Sequence, residues 1–400
     1  MKTSPRATSV LLNVGHAFDH MFLLVFATAV ATIAADFGFA RWEDLMPYGV
    51  GAFAMFGLCS LPAGRLGDLW GRRAMMLVFF FGMGASALLA ASVGGPWQLA
   101  AALVVLGAFT SIYHPVGIPM LVRHSVRPGL TIGINGLAGN LGVAFSALLT
   151  GILVKYAGWR IAFVVPGLVA IACGIAFARL APREESPPAR RRGQGASPDA
   201  SFARLFLVMT IASITASFIF NLATNGNAEL LRERLAGIID DPAWLGALLA
   251  AVYAIGSLAQ LVVGHLIDRV PLKYLYAGIV GLQVPLLALA ASATGWTLYV
   301  LMVLFMIVIF GAIPFIDAMI VRYVDDSHRS RVSGMRLTVS LGVSAGAVWA
   351  LGPVVKAGGF STLLLCMAAT AALTLVAVLC LPKPGDTRMA APPGSPRAAD

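Results

Sequence analysis

Long apolar runs separated by short polar gaps set the pattern of this chain. A membrane-crossing helix needs about 20 mostly apolar residues. Twelve stretches meet that need: 9–35, 45–65, 74–93, 97–121, 130–155, 160–181, 204–226, 243–266, 272–294, 296–323, 332–355 and 359–381. The apolar residues run on continuously within each stretch. That pattern predicts helices rather than the alternating strands of a membrane barrel. Several gaps carry turn chemistry: Gly94-Gly95-Pro96, Gly158-Trp159, Gly295-Trp296 and Gly358-Gly359.

Two of the gaps are related. Gly64-Arg65-Leu66-Gly67-Asp68-Leu69-Trp70-Gly71-Arg72-Arg73 has a weaker copy in Gly264-His265-Leu266-Ile267-Asp268-Arg269-Val270-Pro271-Leu272-Lys273. Pro115 and Pro314, Arg123 and Arg322, and Leu141-Gly142-Val143 and Leu341-Gly342-Val343 share nearly the same offset. A charged loop repeated at half the chain length implies two related halves, the build of many secondary transporters. The expected organisation is a six-helix bundle over 1–181, a linker over 182–203, a second bundle over 204–383 and a tail over 384–400. Proline, charge and small residues leave the linker without a core. Its Arg190–Arg192 run suits anionic lipid.

Composition agrees. The 400 residues are 59% hydrophobic and 12% charged, with mean hydropathy +0.86. Soluble domains carry about 25% charged residues, so lipid must cover part of this surface. The net charge of +10 would suggest nucleic acid in a soluble protein, but here it sits in the gaps and reads as topology. With the N-terminus in the cytoplasm, all of the 28 Lys and Arg except Arg41, Lys155, Arg160, Arg232, Arg234 and Lys356 fall on the cytoplasmic side. The positive-inside rule therefore places both termini inside. The four cysteines lie within apolar runs without metal-type spacing and read as small buried side chains. Asn13, His16, Asp19 and His20 in the first run argue against a cleavable signal.

Two acids, Asp19 and Asp317, lie well inside the predicted spans. A carboxylate at membrane depth is costly and marks a functional site by default. His16 and His20 share a helix face, and His16 is within reach of Asp19. The group suits a proton, a substrate anion or, with a fourth ligand such as His114, a divalent ion. The competing reading is a hydrogen-bonded packing cluster, and no metal is assigned. His114 precedes Pro115, which frees a backbone carbonyl. His114 either bonds that break or faces the cavity opposite the first helix. Asp317 is near enough to Arg322 or Arg336 to belong to a gate instead. Gly133, Gly136, Gly139 and Gly142 form a strip for close helix contact. Asn135 and Asn140 beside it, with Asn221, Asn225, Tyr253, Gln260 and Gln283, are candidate cavity polars. Each alone is more often an interhelical hydrogen bond.

Six plus six helices, a basic linker and the Gly64–Arg73 loop together resemble the major facilitator superfamily across essentially the whole chain. The resemblance implies an all-α membrane fold of two pseudo-symmetric six-helix bundles. It also implies a gating role for Gly64, Gly67, Asp68, Gly71, Arg72, Arg73 and Asp268. Asp68 would latch onto the start of the eleventh helix near Ser333–Arg336, with Arg336 its counter-charge, and Asp268 would face the fifth near Thr131–Gly133. Arg72 and Arg73 are expected at anionic headgroups. Tyr113-His114-Pro115-Val116-Gly117 and the Asn- and Gly-rich fifth helix are similar to bacterial efflux carriers of the fosmidomycin-resistance type. Proton-coupled drug exporters of the superfamily carry an arginine within helix four. This chain has none before Arg123, at that helix's end, a departure from the usual relay.

The expectation is a secondary transporter that exports a small polar or amphipathic solute against proton entry through Asp19. An importer of a small organic anion with protons is the alternative, and a non-transporting receptor or scaffold is the alternative of another class. The sequence holds no HExxH, phosphate loop or nucleophile elbow. No enzyme and no cofactor is expected. The expected partners are a small-molecule substrate, protons and the bilayer, not nucleic acid, for a monomer in a bacterial inner membrane.

Overall fold

The structure is a computed structural model that describes residues 5–123, 125, 128–182, 200–267, 269–323 and 326–381. The described residues are helical, with no strand among them. Ten helices come first: α1 (Arg6–Asp36), α2 (Trp42–Trp70), α3 (Arg72–Ser92), α4 (Pro96–Val122), α5 (Leu130–Ala157), α6 (Trp159–Leu180), α7 (Phe206–Arg234), α8 (Pro242–Ile267), α9 (Leu272–Ser292) and α10 (Gly295–Ile320). A last helix, Asp326–Leu379, breaks at Gly359 (φ +69°, ψ 178°) into α11 (326–358) and α12 (360–379). Each of the ten is long and apolar enough to cross a membrane, as is the Gly342–Leu379 stretch of the last. The twelve apolar runs are thus twelve helices, most with ends within a few residues of those expected.

Gly71 sits at φ +90° between α2 and α3. A side chain there would be strained, so this glycine allows the abrupt reversal that lets α3 run back beside α2. Leu89, Leu168, Leu282 and Leu373 are exposed, as lipid-facing residues would be. Phe22, Phe79, Phe163, Phe305 and Phe360 are buried between the helices.

The two halves repeat down to single bonds. Arg73 at the start of α3 donates to Ala181 O at the end of α6 (3.2 Å), and Lys273 at the start of α9 donates to Leu381 O after α12 (2.6 Å). The carbonyls of Val93 and Ala293 are likewise mates, but their donors are not: Arg160 from the start of α6 (3.1 Å) and Arg234 from the end of α7 (3.4 Å). Each cation satisfies a carbonyl at or just beyond a helix end. Arg72 donates to Pro119 O (3.1 Å). The two arginines expected at lipid headgroups thus bond backbone carbonyls of neighbouring helices while staying partly exposed.

The halves meet at the end of the molecule remote from the termini. Lys155 at the end of α5 pairs with Asp241 before α8, and Lys356 near the end of α11 pairs with Asp44 at the start of α2. The two ion pairs are pseudo-twofold mates. A Cβ on Gly246 would lie 2.5 Å from Ala147 O, and one on Gly352 would lie 2.4 Å from Glu43 O. Backbones of opposite halves therefore touch at this end. Away from that end, a Cβ on Gly133, Gly136, Gly264, Gly342 or Gly346 would have nothing within 4 Å among the described residues. Among the described residues the two halves are therefore held in contact at the Lys155–Asp241 and Lys356–Asp44 end.

Candidate functional site

The chemistry gathers where α1, α4 and α5 cross. The α1–α5 contact is set by glycines. A Cβ on Gly142 would lie 2.1 Å from Ala17 O, and one on Gly139 would lie 2.6 Å from the His16 ring. Small residues here let the helix backbones touch and leave room for an imidazole between them.

In α4, residues Tyr113–Gly117 form a π-turn. Its cause is Pro115, which cannot donate to the carbonyl of Ser111. That carbonyl has the Ser60 hydroxyl of α2 at 3.4 Å, which bonds Phe56 O more closely (2.7 Å), while Val116 N reaches Ile112 O (3.2 Å). A π-turn in an α-helix is common at functional sites. This one carries His114 and Tyr113. Gly64 and Gly67 of α2 pack on it: a Cβ on them would lie 3.2 Å from Pro115 and 2.9 Å from Val116. These two loop-motif glycines thus abut the site-bearing turn directly. The mate of Pro115, Pro314, also breaks its helix, and Phe310 O is satisfied there by Ile313 N (3.2 Å).

His16, Asp19, His20 and His114 converge, each with a donor atom within 4.8 Å of the others. His114 Nε2 lies 3.2 Å from Asp19 Oδ2, an ion-pair distance. Asp19 is fully buried, and among the described residues neither of its oxygens accepts a well-aligned hydrogen bond. His16 Nδ1 donates to Asn135 O of α5 (2.6 Å). That bond puts the proton on Nδ1 and leaves Nε2 of the neutral ring as an acceptor, 3.2 Å from His20 Nε2. The His16 ring stacks on Tyr113 (centroids 4.7 Å, 10° apart). Asn135 Nδ2 donates to Tyr113 OH (2.7 Å) and to Asn13 Oδ1 (2.9 Å). His114 and Asn135, read from sequence as substrate contacts, thus belong with the Asp19 group.

The second half offers neutral polars instead. Ser213 faces Ser340 (2.8 Å), Ser217 donates to Ser340 O (2.8 Å), Asn221 donates to Ser344 Oγ (2.9 Å), and Asn225 donates to Asn221 O (3.0 Å). This ladder joins α7 to α11. Tyr253 donates to Thr224 O (3.2 Å) and Gln283 to Val308 O (3.2 Å), both interhelical packing bonds. The Gln260 amide nitrogen is buried without a partner among the described residues, and Asn140 is buried in α5. Asp68 is exposed in the last turn of α2. Asp268 and the side chains of Asp317 and Arg336 lie outside the described residues, as does the latch of Asp68 onto Arg336.

Several residues escaped the sequence reading. α7 runs to Arg234 rather than 226 and carries a buried acid, Glu229. Arg232, one turn on, donates to Glu229 Oε2 from Nε (2.6 Å) and neutralises it. The i,i+3 spacing was its signal. The serines of the ladder stand at i,i+4 on each helix, a polar stripe visible only as spacing. Tyr113 looked like one more aromatic in an apolar run.

The sequence pattern of the Major Facilitator Superfamily matches residues 12–238. The chain belongs to that superfamily. It is 29% identical over 248 residues to the multidrug resistance protein MdtG of Dickeya zeae (strain Ech586), covering 60% of each chain. It is 28% identical over 175 residues to the efflux pump TerJ of Aspergillus terreus (strain NIH 2624 / FGSC A1156), covering 42% of this chain and 32% of that one. The alignments span from about a third to three fifths of these relatives' own length. The inward-open xylose transporter XylE of E. coli superimposes with a TM-score of 0.74 at 13% identity, covering 93% of this chain and 96% of that one. The protein is a multi-pass membrane protein of the major facilitator fold.

Proposed function

We propose that this transporter exports a small polar or amphipathic solute in exchange for protons, which bind at Asp19 and its three histidines. One observation carries the reading: a fully buried carboxylate faces an imidazole at 3.2 Å, and among the described residues its oxygens accept no aligned hydrogen bond. An unpaired charge at that depth costs several kcal/mol, roughly. Asp19 and His114 are relieved when one proton is shared between them, so occupancy of the site changes the energy of any state that exposes it. The efflux and drug-resistance proteins among the relatives support export as the direction.

Residues 1–181 and 204–383 are the two moving units, with Asn221, Asn225 and Gln260 as the second unit's contribution to the substrate cavity. With both termini cytoplasmic, as the Lys and Arg distribution indicates, the closed end faces out and the cavity opens inward at the opposite end. Rocking about the site then exposes it alternately. The protein works as a monomer in a bacterial inner membrane.

The test is reconstitution in liposomes holding a pH dye, with a panel of drugs and organic acids. Substrate-dependent proton movement opposite to substrate movement, abolished in Asp19→Asn, is the expected result. Flux unchanged in that variant removes Asp19 from the mechanism, and co-directional flux reverses the direction.

A further inference from the structure

The four side chains that converge on Asp19 have the composition of a metal site as well as of a proton site. We propose that His16, Asp19, His20 and His114 bind one divalent transition-metal ion of the borderline class, such as Zn²⁺, Co²⁺ or Ni²⁺. The inference rests on the preceding reading only in treating these four side chains as one site. It does not require that protons be transported.

The argument begins with the donors. Three imidazoles and one carboxylate suit zinc-like ions and not Mg²⁺ or Ca²⁺, which take oxygen ligands. Metal–nitrogen and metal–oxygen bonds of about 2.0–2.2 Å place neighbouring donors of a tetrahedron roughly 3.3–3.5 Å apart. Two opposite edges of the group are already at that spacing. His16 Nε2 and His20 Nε2 are 3.2 Å apart, and so are His114 Nε2 and Asp19 Oδ2. No donor pair exceeds 4.8 Å, so small side-chain rotations close the remaining edges.

The orientation of the rings is the second observation. His16 spends its Nδ1 proton on the Asn135 carbonyl, which turns the Nε2 lone pair inward. A ligating histidine is commonly fixed in this way by a carbonyl behind it. Asn135 is itself held by Tyr113 and Asn13. The third observation is Asp19. It is fully buried and its oxygens accept no aligned hydrogen bond among the described residues, which leaves acceptor capacity aimed into the cluster. Among the described residues no lysine or arginine pairs with Asp19, and a cation would answer its charge. The π-turn completes the set by bringing His114 from α4 to the residues on α1.

The experiment uses untagged protein in detergent at neutral pH, titrated with Co²⁺ and followed by its visible absorption. The expected result is one ion per chain with the intense bands of a tetrahedral site, displaced by Zn²⁺ and not by Mg²⁺. His114→Gln, His20→Gln and Asp19→Asn should each weaken binding at least tenfold, while His265→Gln, exposed on α8, should not. X-ray absorption on the Zn²⁺-loaded wild type counts imidazole ligands without relying on any variant, and three are expected. Absence of a tetrahedral band, a count of one or none, or binding indifferent to all three site variants overturns the proposal. Proton flux in chelator-treated liposomes separates the two readings. Flux that needs Asp19 without metal binding sinks the metal site alone, and metal binding without such flux sinks the proton reading alone.

Discussion

Asn135 does two jobs with two different groups. Its carbonyl holds His16, and its side-chain amide holds Tyr113 and Asn13. Asn135→Leu should keep the first and lose the second. Leaving buried partners unsatisfied costs about 1–3 kcal/mol, so a lower unfolding midpoint is expected with the site's ligand binding reduced only modestly. If binding instead falls as far as in Asp19→Asn, the amide rather than the carbonyl positions the site. Gly139→Ala should show the reverse pattern, because the new methyl meets the His16 ring at 2.6 Å. It should weaken Co²⁺ binding and proton flux together, and wild-type values for both would show that His16 gives way freely. Much of this site was legible in the chain. An acid flanked by two histidines in an apolar run stands out because burial makes it costly. Tyr113 and Asn13 were not legible, since their roles depend on which helix lies opposite. Glu229 was missed for the opposite reason: Arg232 neutralises it, so the helix continues where charge seemed to end it.

At the scale of elements, the π-turn in α4 is the feature that matters most. Pro115 was visible as a helix break, but the widened turn and its contact with Gly64 and Gly67 required the fold. Pro115→Ala restores an N–H donor for Ser111 O. A regular helix is then favoured by up to about 3 kcal/mol, the cost of an interior proline. Tightening the turn also rotates His114 away from Asp19. The expected outcome is a raised unfolding midpoint with weakened Co²⁺ binding and slower proton exchange. A raised midpoint with full activity would show that the π-turn is incidental. The helix count itself was readable because lipid imposes length and continuity on each apolar run. The end of α7 was not, and neither was the junction at Gly359, where two runs prove to be nearly one helix.

For the whole molecule, the paired locks Lys155–Asp241 and Lys356–Asp44 govern the closed end. Exposed ion pairs are worth about 0–1 kcal/mol each, so single changes should matter little. Asp241→Asn with Asp44→Asn should shift the conformational balance several-fold. Spin labels at Trp97 and Trp296, both exposed at the starts of α4 and α10, report the opening as a longer distance. An unchanged distance distribution would assign closure to the glycine contacts instead. The hydrogen bond from Lys155 holds the Asp241 carboxyl below its ordinary value. A lowered carboxylate stabilises the closed form above the ordinary aspartate range, near pH 3.9, and loses that effect as pH falls through the shifted value. The same label pair should therefore lengthen in strong acid and stay constant from pH 5 to pH 8. The two locks could not be read from sequence, because each joins residues of different halves and neither partner differs from an ordinary loop charge.

Asp19 lies close to half-way along α1. A charge crossing a whole membrane gains or loses about 2.3 kcal/mol per 100 mV. An ion that reaches this site from either face has therefore crossed about half the voltage, roughly 1.2 kcal/mol per 100 mV. Entry and exit share the electrical work almost equally, and neither leg of the cycle carries the full burden. The carrier would then respond to membrane potential only gently at each step, while the complete cycle still feels all of it.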